Sequence, residues 1–174
     1  MSTTTLPANR LDTLPPLLHP LHAHLTRDGM DLHLVVEEGG LITAITLERL
    51  EVRFRFQLEG NDGGLTMEAS LPFWVPVDRR ATVAEFMMRM NWKLKRLMFL
   101  IDFDDGEIRL RHHSGLREGP VDVEEAETGL TICCRMLNIF VPALVAVTFQ
   151  DKSAEESVAL AEEEFKAALN TTRS

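Results

Sequence analysis

The sequence predicts an α+β fold in which helices cover an antiparallel β-sheet. Two runs of alternating apolar and polar residues flank a glycine-rich turn, which is typical of a hairpin with one solvated face. Apolar residues at helical spacing occur before, between and after the strand-like runs. The predicted order is therefore helix, strands, helix, two strands, helices, which indicates the α+β class.

The N-terminal segment is predicted to be helical. Residues 1–10 lack the apolar core of a signal peptide, and we expect them to be flexible. Residues 11–29 are predicted to form a short or irregular helix, in which Pro20 would lie uncomfortably deep. Its leucines recur at helical spacing: Leu14, Leu17, Leu18, Leu21 and Leu25. Residues 30–37 have the pattern of a strand, and residues 41–47 fit either a strand or a helix.

The clearest pattern is a β-hairpin between residues 52 and 73. Apolar and polar side chains alternate in VRFRFQLE (residues 52–59) and again in residues 65–73, on either side of the turn GNDGG. This alternation predicts an antiparallel pair with its phenylalanines toward the core.

A second helix is predicted to begin at Thr82, which would form a capping box with Glu85, and to continue to Arg96. Its apolar residues form a core stripe: Val83, Phe86, Met87, Met90, Leu94 and Leu97. Met88 and Trp92 lie four residues apart on a second face of the same helix.

Residues 91–113 (NWKLKRLMFLIDFDDGEIRLRHH) combine an acidic cluster with two histidines and so raise the question of a metal site. The spacing D-x-D-D-G does not match an EF-hand loop, which also needs a glutamate where His112 stands. A turn at Asp105 and Gly106 instead predicts a hairpin. Its facing pairs would be 103 with 108, 101 with 110 and 99 with 112, with Asp102 opposite Arg109 on the other face.

Residues 112 and 113 are both histidine, but consecutive strand residues point to opposite faces. His112 and His113 therefore cannot bind one metal ion together. A meeting of His112 in space with His19, His22 or His24 is the remaining possibility, and nothing in the sequence favours it.

Two further helices are predicted at the C-terminal end. Asp122 and Glu125 form an aspartate version of the capping box and begin a long apolar helix, which Pro142 should kink or interrupt. Ser153 and Glu156 form another box. The last helix has the core stripe Val158, Ala161, Phe165 and Leu169, and residues 170–174 are expected to be a flexible tail.

Length, charge and cysteine content limit the class of protein. The 174 residues are predicted to form a single domain, 1–174, and folding at this length buries roughly 70% of the unfolded surface. The net charge of −9 argues against bulk binding to nucleic acid or anionic membranes. Adjacent Cys133 and Cys134 rarely bridge each other and so indicate a reducing cytoplasm. Arg135, Asn138 and Pro142 interrupt the most apolar run, which predicts a buried helix rather than a membrane span.

The sequence carries none of the common catalytic motifs: no G-x-S-x-G, GxxxxGK[ST], H-E-x-x-H or G-x-G-x-x-G. We therefore expect a protein that is not an enzyme and uses no cofactor or metal. Cys133 and Cys134 are predicted to be buried, inert thiols. His19, His22 and His24 could form a ligand cluster, but a partly solvated helix face explains them more simply.

The candidate surface for a partner or a dimer centres on Met88 and Trp92, because tryptophan and methionine are enriched at interfaces. The alternative is a wider buried face of the same helix. A local concentration of basic residues surrounds them: Arg79, Arg80, Arg89, Lys93, Lys95 and Arg96. A solvated flank is its usual explanation, and docking of an acidic segment or of nucleic-acid phosphates is the second. The residues assigned to the candidate surface are Met88, Trp92, Trp74, Arg89, Lys93, Lys95 and Arg96.

Residues 75–116 resemble the centre of the YbjN-like family. The resemblance lies in a proline-bounded strand, a helix ending near Asn91, an apolar strand, an acidic D-G turn and an I-x-L/F-R strand. Downstream, MLNIFVPALVAVTF and SAEESVALAEEE are similar to that family's aromatic–Pro–Ala–Leu helix and its C-terminal helix. The similarity extends over residues 51–164.

The resemblance implies a fold like that of type III secretion chaperones, commonly dimeric and binding proteins without catalysis. Such proteins are also described as bacterial sensory-transduction regulators, and they offer no catalytic residues to transfer. We therefore expect a cytoplasmic, homodimeric, chaperone-like or adaptor protein with a regulatory or stress role and an unidentified protein partner. The alternative is a regulator that acts at or near nucleic acid through the basic helix of residues 79–96, directly or through a partner.

Overall fold

The computed structural model describes residues 12–35, 39–59, 64–115 and 121–171, in which four α-helices and six β-strands occur. In chain order the elements are α1 (His19–Arg27), β1 (His33–Val35), β2 (Gly40–Thr46), β3 (Glu51–Glu59), β4 (Gly64–Trp74), α2 (Arg80–Asn91), β5 (Leu97–Ile101), β6 (Glu107–Ser114), α3 (Val123–Phe149) and α4 (Ala154–Thr171). The strands form one antiparallel sheet in the order β1-β2-β3-β4-β6-β5. The predicted α+β class is confirmed.

The hydrophobic core lies between one face of the sheet and the helices. Alternate strand residues on this face are fully buried: Leu41, Val52, Phe54, Phe56, Leu65, Met67, Ala69, Ile108 and Leu110. α3 packs on β4 and β6, α2 packs on β5, and α4 packs on both α2 and α3. The opposite face carries the charged residues of β3, β4 and β6, and we refer to it as the open face.

The central hairpin forms as predicted. β3 and β4 pair antiparallel with Phe54 opposite Ala69 and Phe56 opposite Met67, all on the core face. Period-two patterning specifies this register, because a slip of one residue would turn every buried side chain to solvent. The predicted turn at residues 60–63 lies outside the described residues.

The N-terminal helix is shorter than the predicted range of residues 11–29. A 3₁₀ turn at Pro16–Leu18 precedes α1, which begins only at His19. Pro20 thus lies in the first turn, where a helix needs no N–H donor. A proline at this position is therefore compatible with the helix. β1 is three residues long within the predicted strand of residues 30–37, and residues 41–47 are largely strand. The predicted flexible end, residues 1–10, lies outside the described residues.

The predicted capping box of α2 is wrong. A 3₁₀ turn at Val77–Arg79 leads straight into α2, and no side chain caps its first residue. Thr82 therefore lies inside the helix, and Glu85 accepts a hydrogen bond from Arg89 one turn later. α2 also ends at Asn91 rather than at Arg96.

The core stripe predicted for α2 is only partly helical. Val83, Phe86, Met87 and Met90 are buried in α2 as expected. Leu94 and Leu97 lie beyond the helix, the first in the connecting loop and the second in β5.

The β5–β6 register differs from the prediction by two residues. Phe99 pairs with Leu110 rather than with His112, which instead faces Leu97. Since side chains alternate with a period of two, this shift leaves the strand residues on the faces predicted for them. His112 is fully buried and His113 is exposed, as expected from their opposite orientations.

The turn between β5 and β6 is longer than a two-residue turn because Asp102 closes it. The Asp102 N–H donates to the carbonyl of Glu107, and the Asp102 carbonyl accepts from the N–H of Gly106. Gly106 has a φ of 87°, a left-handed conformation that suits glycine. The predicted pairing of Asp102 with Arg109 is wrong, and Phe103 is exposed in the turn rather than packed on the core face.

Both C-terminal caps form as predicted. The Asp122 side chain accepts from the Glu125 N–H at 3.1 Å and begins α3. Before α4, the Ser153 N–H donates to the Glu156 carboxylate at 2.9 Å, and the Glu156 N–H donates back to the Ser153 hydroxyl at 3.1 Å. This reciprocal pair satisfies two N–H groups that the helix itself leaves free.

The later parts of these two helices depart from expectation. α3 continues through Pro142 without interruption. In α4, Ala161 is buried, but Phe165 and Leu169 are partly exposed, so the predicted core stripe fades toward the C-terminus. Residues 170 and 171 still belong to α4, and the remaining three residues of the predicted tail lie outside the described residues.

α3 is the one described helix with the length and hydropathy of a membrane span. Just over half of its most apolar window, 56%, is buried inside the molecule. A core helix of a globular protein passes the same test, and the packing of α3 on β4, β6 and α4 is of that kind.

Candidate protein-binding surface

The C-terminal end of α2 is fixed to the edge of the sheet by Asn91. Its side-chain amide donates to the carbonyl of Phe99 at 2.9 Å and accepts from the N–H of Phe99 at 2.8 Å. These bonds replace a neighbouring strand beside β5, which is the last strand of the sheet. α2 therefore has to end here, and the next residue, Trp92, points away from the core.

Trp92 and Met88 are exposed side by side on the helical layer. Trp92 is 91% exposed and Met88 is 70% exposed. The backbone N–H of Trp92 donates to the backbone carbonyl of Met88 at 3.1 Å. Together with Val158 of α4, they line a groove of about 580 Å³. The alternative of a wider buried helix face is wrong. We call Met88, Trp92 and Val158, with the flanking Arg89 and Lys93, the Trp92 patch.

The two basic residues of the Trp92 patch are paired with acids. Arg89 lies 2.7 Å from Glu85 on its own helix and 3.1 Å from Glu155 on α4. Lys93 forms an ion pair with Glu162 of α4, and this contact lowers the pKa of the Glu162 carboxyl. The patch is therefore an apolar centre with a rim of both charges.

Three other basic residues of the segment 79–96, Arg79, Arg80 and Arg96, stabilise the fold. Arg79 donates to the carbonyls of Val147 and Lys152, near the C-terminal end of α3. Arg80 donates to the carbonyls of Val75, Phe103 and Asp104 and so ties the start of α2 to the β5–β6 turn. Arg96 pairs with Glu125 of α3 at 2.8 Å.

The basic segment is thus not a single helical face. Lys93, Lys95 and Arg96 lie in the loop after α2, and most of the guanidinium groups already have partners. Phosphate binding needs cations that are free to replace counterions.

Trp74 lies apart from the Trp92 patch. It is 59% exposed at the end of β4, where it faces Glu107 of β6 on the open face. It lines a different groove, of about 490 Å³. Of the predicted surface residues, four line the groove of the Trp92 patch: Met88, Trp92, Arg89 and Lys93. Trp74, Lys95 and Arg96 do not line the groove of the Trp92 patch.

The open face is crossed by a row of ion pairs. Glu68 is only 8% exposed and lies 2.6 Å from Arg111 and 3.5 Å from Arg109. Arg109 also binds Glu107, and this hydrogen bond lowers the pKa of the Glu107 carboxyl. The charges of this row neutralise each other within the sheet.

One histidine cluster has ligand types that suit a metal ion. His24, Asp28 and Glu127 place their ligand atoms within 4.8 Å of one another, and no other such group occurs in the described residues. Arg27, however, lies 2.7 Å from Nδ1 of His24, and a guanidinium can only donate. Nε2 of His24 is 3.3 Å from the Asp28 and the Glu127 carboxylates, with no hydrogen bond to either. The geometry favours a polar link between α1 and α3.

The predicted cluster of His19, His22 and His24 does not converge in this way. His19 is 3.0 Å from the carbonyl of Leu14, and burial lowers the pKa of His22. Cys133 is buried, as predicted, whereas Cys134 is only partly buried. Burial raises the pKa of Cys133 to about 12 and that of Cys134 to about 11. Neither is disulfide-bonded.

The sequence reasoning missed Val158 of the Trp92 patch and the two acids that pair with its rim. Val158 was assigned to the core stripe of α4, although it lines the groove beside Trp92. Glu155 and Glu162, seven residues apart on α4, face Arg89 and Lys93, four apart along the chain. No spacing in the sequence marks these residues as neighbours, because the charge pairs that a sequence can indicate lie three or four residues apart on one helix.

Comparison with known proteins indicates the family of the chain. No curated protein matches the chain. The model of the family described as "YbjN: Putative bacterial sensory transduction regulator" matches residues 20–145, which include α2, all six strands and most of α1 and α3. The chain belongs to the YbjN family.

Proposed function

We propose that the protein is a non-enzymatic regulatory adaptor that forms a homodimer through the Trp92 patch. The family description is compatible with a regulatory or adaptor role. The observation that carries the proposal is the exposure of Trp92 and Met88 side by side over a groove. Large apolar side chains with a charged rim are typical of protein interfaces, and tryptophan is the residue most often found at their energetic centre.

A second copy of the chain fits this surface through its charges. The patch presents bases on α2 and in the loop after it, and acids on the neighbouring α4. In a dimer with two-fold symmetry, each copy offers the same surface to the other. Arg89 of one copy can then pair with Glu155 of the other copy, or with both glutamates. Both charges therefore stay paired when the two apolar centres come into contact.

The apolar area is sufficient for a dimer of moderate affinity. Burying a Trp92 side chain in each copy contributes about 10 kcal/mol, at roughly 200 Å² per tryptophan and about 25 cal/mol per Å². Association costs about 4–15 kcal/mol. Met88 and Val158 add to the apolar term, so we expect a dimer that dissociates on dilution.

Sedimentation equilibrium over a range of concentrations tests this proposal. We expect a dimer that Trp92→Ala and Met88→Glu each convert to monomer, while circular dichroism and the unfolding midpoint at low concentration stay unchanged. Phe103→Ala is the matched control, because Phe103 is also exposed but lies in the β5–β6 turn. A wild-type monomer at all concentrations, or a dimer unaffected by both substitutions, would overturn the proposal.

A further inference from the structure

A small apolar cavity lies next to the Trp92 patch, between the end of α2 and the helices α3 and α4. Its volume is about 190 Å³, and its apolar lining consists of Met90, Leu94, Phe140, Ala161 and Phe165. The other lining residues are charged and exposed or half-buried: Lys93, Glu162 and Lys166. This cavity, which we call the Phe165 cavity, is therefore apolar inside and charged at its mouth.

The floor of the Phe165 cavity belongs to the packed core. Met90, Phe140 and Ala161 are each no more than 3% exposed. The Phe140 ring packs edge-to-face on Phe99, with 5.8 Å between the ring centres. An engineered apolar cavity of about 150 Å³ stays dry and takes up benzene. The Phe165 cavity is thus preformed, and it has space for one aromatic side chain.

The charges at the mouth favour an aromatic occupant. The hydrogen bond from Lys93 and the nearby charge of Lys166 both lower the pKa of the Glu162 carboxyl. Because the two lysines already interact with Glu162, the occupant needs no acidic group of its own. Two ammonium groups attract the negative face of an aromatic ring, and tryptophan gives the strongest contacts of this kind.

Trp92 lies on the same surface as the cavity. Its side chain is the most exposed large apolar group in the described part of the chain. Lys93, the next residue, lines both the groove of the Trp92 patch and the Phe165 cavity. A protruding side chain beside a cavity of matching size makes the surface complementary to a second copy of itself. With a two-fold axis between the two features, Trp92 of each copy enters the cavity of the other.

We propose that the Phe165 cavity binds Trp92 of the second copy in the dimer. The indole ring packs on Phe140 and Phe165 of that copy, with Lys93 and Lys166 beside it at the mouth. This inference rests on the proposed dimer, to which it adds the residues that receive Trp92.

Two variants that complement each other test this arrangement by sedimentation equilibrium. Trp92→Ala removes the side chain and keeps the cavity, whereas Ala161→Leu fills the cavity and keeps the side chain. Each should weaken dimerisation by more than about tenfold, as loss of an interface hot spot does. An equimolar mixture retains one contact, between Trp92 of the Ala161→Leu chain and the cavity of the Trp92→Ala chain. We expect the mixture to dimerise at concentrations at which each variant alone is monomeric.

The fluorescence of Trp92 reports whether the side chain is buried in the dimer. In a Trp74→Phe background, Trp92 is the sole tryptophan of a chain without tyrosine. Its emission should shift to shorter wavelength as the protein concentration rises, because the indole leaves water. The same background with Ala161→Leu should show no shift.

Phe165→Ala gives a second test that does not add bulk to a buried position. Phe165 is 38% exposed, and its truncation removes the outer wall of the cavity. We expect this variant to weaken the dimer. Leu169→Ala is the matched control, because Leu169 is 44% exposed on the same helix and does not line the cavity. It should dimerise like the wild type.

Failure of this inference is distinguishable from failure of the proposed dimer. A dimer that Trp92→Ala dissociates but that Ala161→Leu and Phe165→Ala leave intact would overturn the inference and leave the dimer proposal standing. A mixture of Trp92→Ala and Ala161→Leu that stays monomeric would also overturn the inference alone. A wild-type protein that is monomeric at all concentrations would overturn both proposals.

Discussion

At the scale of single residues, His112 has an unusual position for a histidine. It is fully buried on the core face of β6, and neither ring nitrogen has a hydrogen-bond partner in the described residues. The ring fits against α3 because residue 129 is glycine: a Cβ there would lie 2.9 Å from the ring and 2.5 Å from the end of Met67. The His112 ring thus packs in the core in its neutral form, because the apolar surroundings cannot solvate the charged form.

The pH dependence of stability follows from this burial. Desolvation lowers the pKa of His112, with Arg96 and His113 also lowering it and Glu125 opposing them. The unfolded chain therefore binds a proton at His112 more readily than the folded protein does. The contribution of neutral His112 to stability is intact above about pH 6.5 and is lost as the pH falls below this value. We expect the free energy of unfolding of the wild type to fall between pH 7 and 5.5, with His112 contributing to the loss.

Urea denaturation at several pH values checks this prediction. His112→Leu should flatten the curve in that interval, whereas His113→Gln should not, because His113 is exposed on the opposite face. An unchanged slope in the His112→Leu protein would show that other groups govern the acid sensitivity.

The thiols of Cys133 and Cys134 give a second prediction at this scale. With pKa values of about 12 and about 11 they carry almost no thiolate near neutral pH, and thiolate is the reactive form. We expect neither to react with a disulfide reagent at pH 7.5 within minutes in the folded protein, and both to react in guanidinium chloride. Rapid modification of the native protein would contradict this.

At the scale of secondary-structure elements, the contact of α2 with β5 organises the candidate surface. The sequence locates both elements but places the end of α2 five residues too late, because apolar residues continue at helical spacing into β5. Asn91 decides the boundary through a contact with Phe99 that no local pattern encodes. The helix ends at Asn91, where the side chain of this residue satisfies the backbone groups of Phe99 at the edge of the sheet.

Asn91→Ala should destabilise the protein by about 1–3 kcal/mol, because it leaves the part-buried N–H and carbonyl of Phe99 without their partner. Denaturation midpoints measure the loss. Asn138→Ala is the control: that side chain accepts one exposed hydrogen bond, from Glu48, and its loss should cost less. Equal costs at the two positions would mean that the Asn91 contact adds little.

At the scale of the whole molecule, the protein is a layer of helices on a sheet, with one tryptophan exposed on each layer. The net charge of −9 opposes self-association, so apolar contact has to exceed this repulsion. Added salt screens the repulsion and should tighten the proposed dimer.

A dimer in which folding and association are coupled has a concentration-dependent melting temperature. We expect the wild-type Tm to rise by about 3–5 °C over a hundredfold increase in protein concentration. The Trp92→Ala protein should melt at one temperature throughout, and Phe103→Ala should follow the wild type. A constant wild-type Tm over this range would argue against a dimer that stabilises the fold.

The sequence by itself determined the class of fold, the central hairpin, two helix caps and the faces of the strands, because these depend on periodicity and on neighbours a few residues away. It also indicated Met88 and Trp92 as candidate surface residues, since they lie outside the core stripe predicted for α2. Tertiary structure decided the end of α2, the β5–β6 register, the partners of the arginines and the separation of Trp74 from Trp92. These depend on contacts between residues distant in the chain, such as Arg89 with Glu155 and Arg79 with Val147, which no local pattern contains.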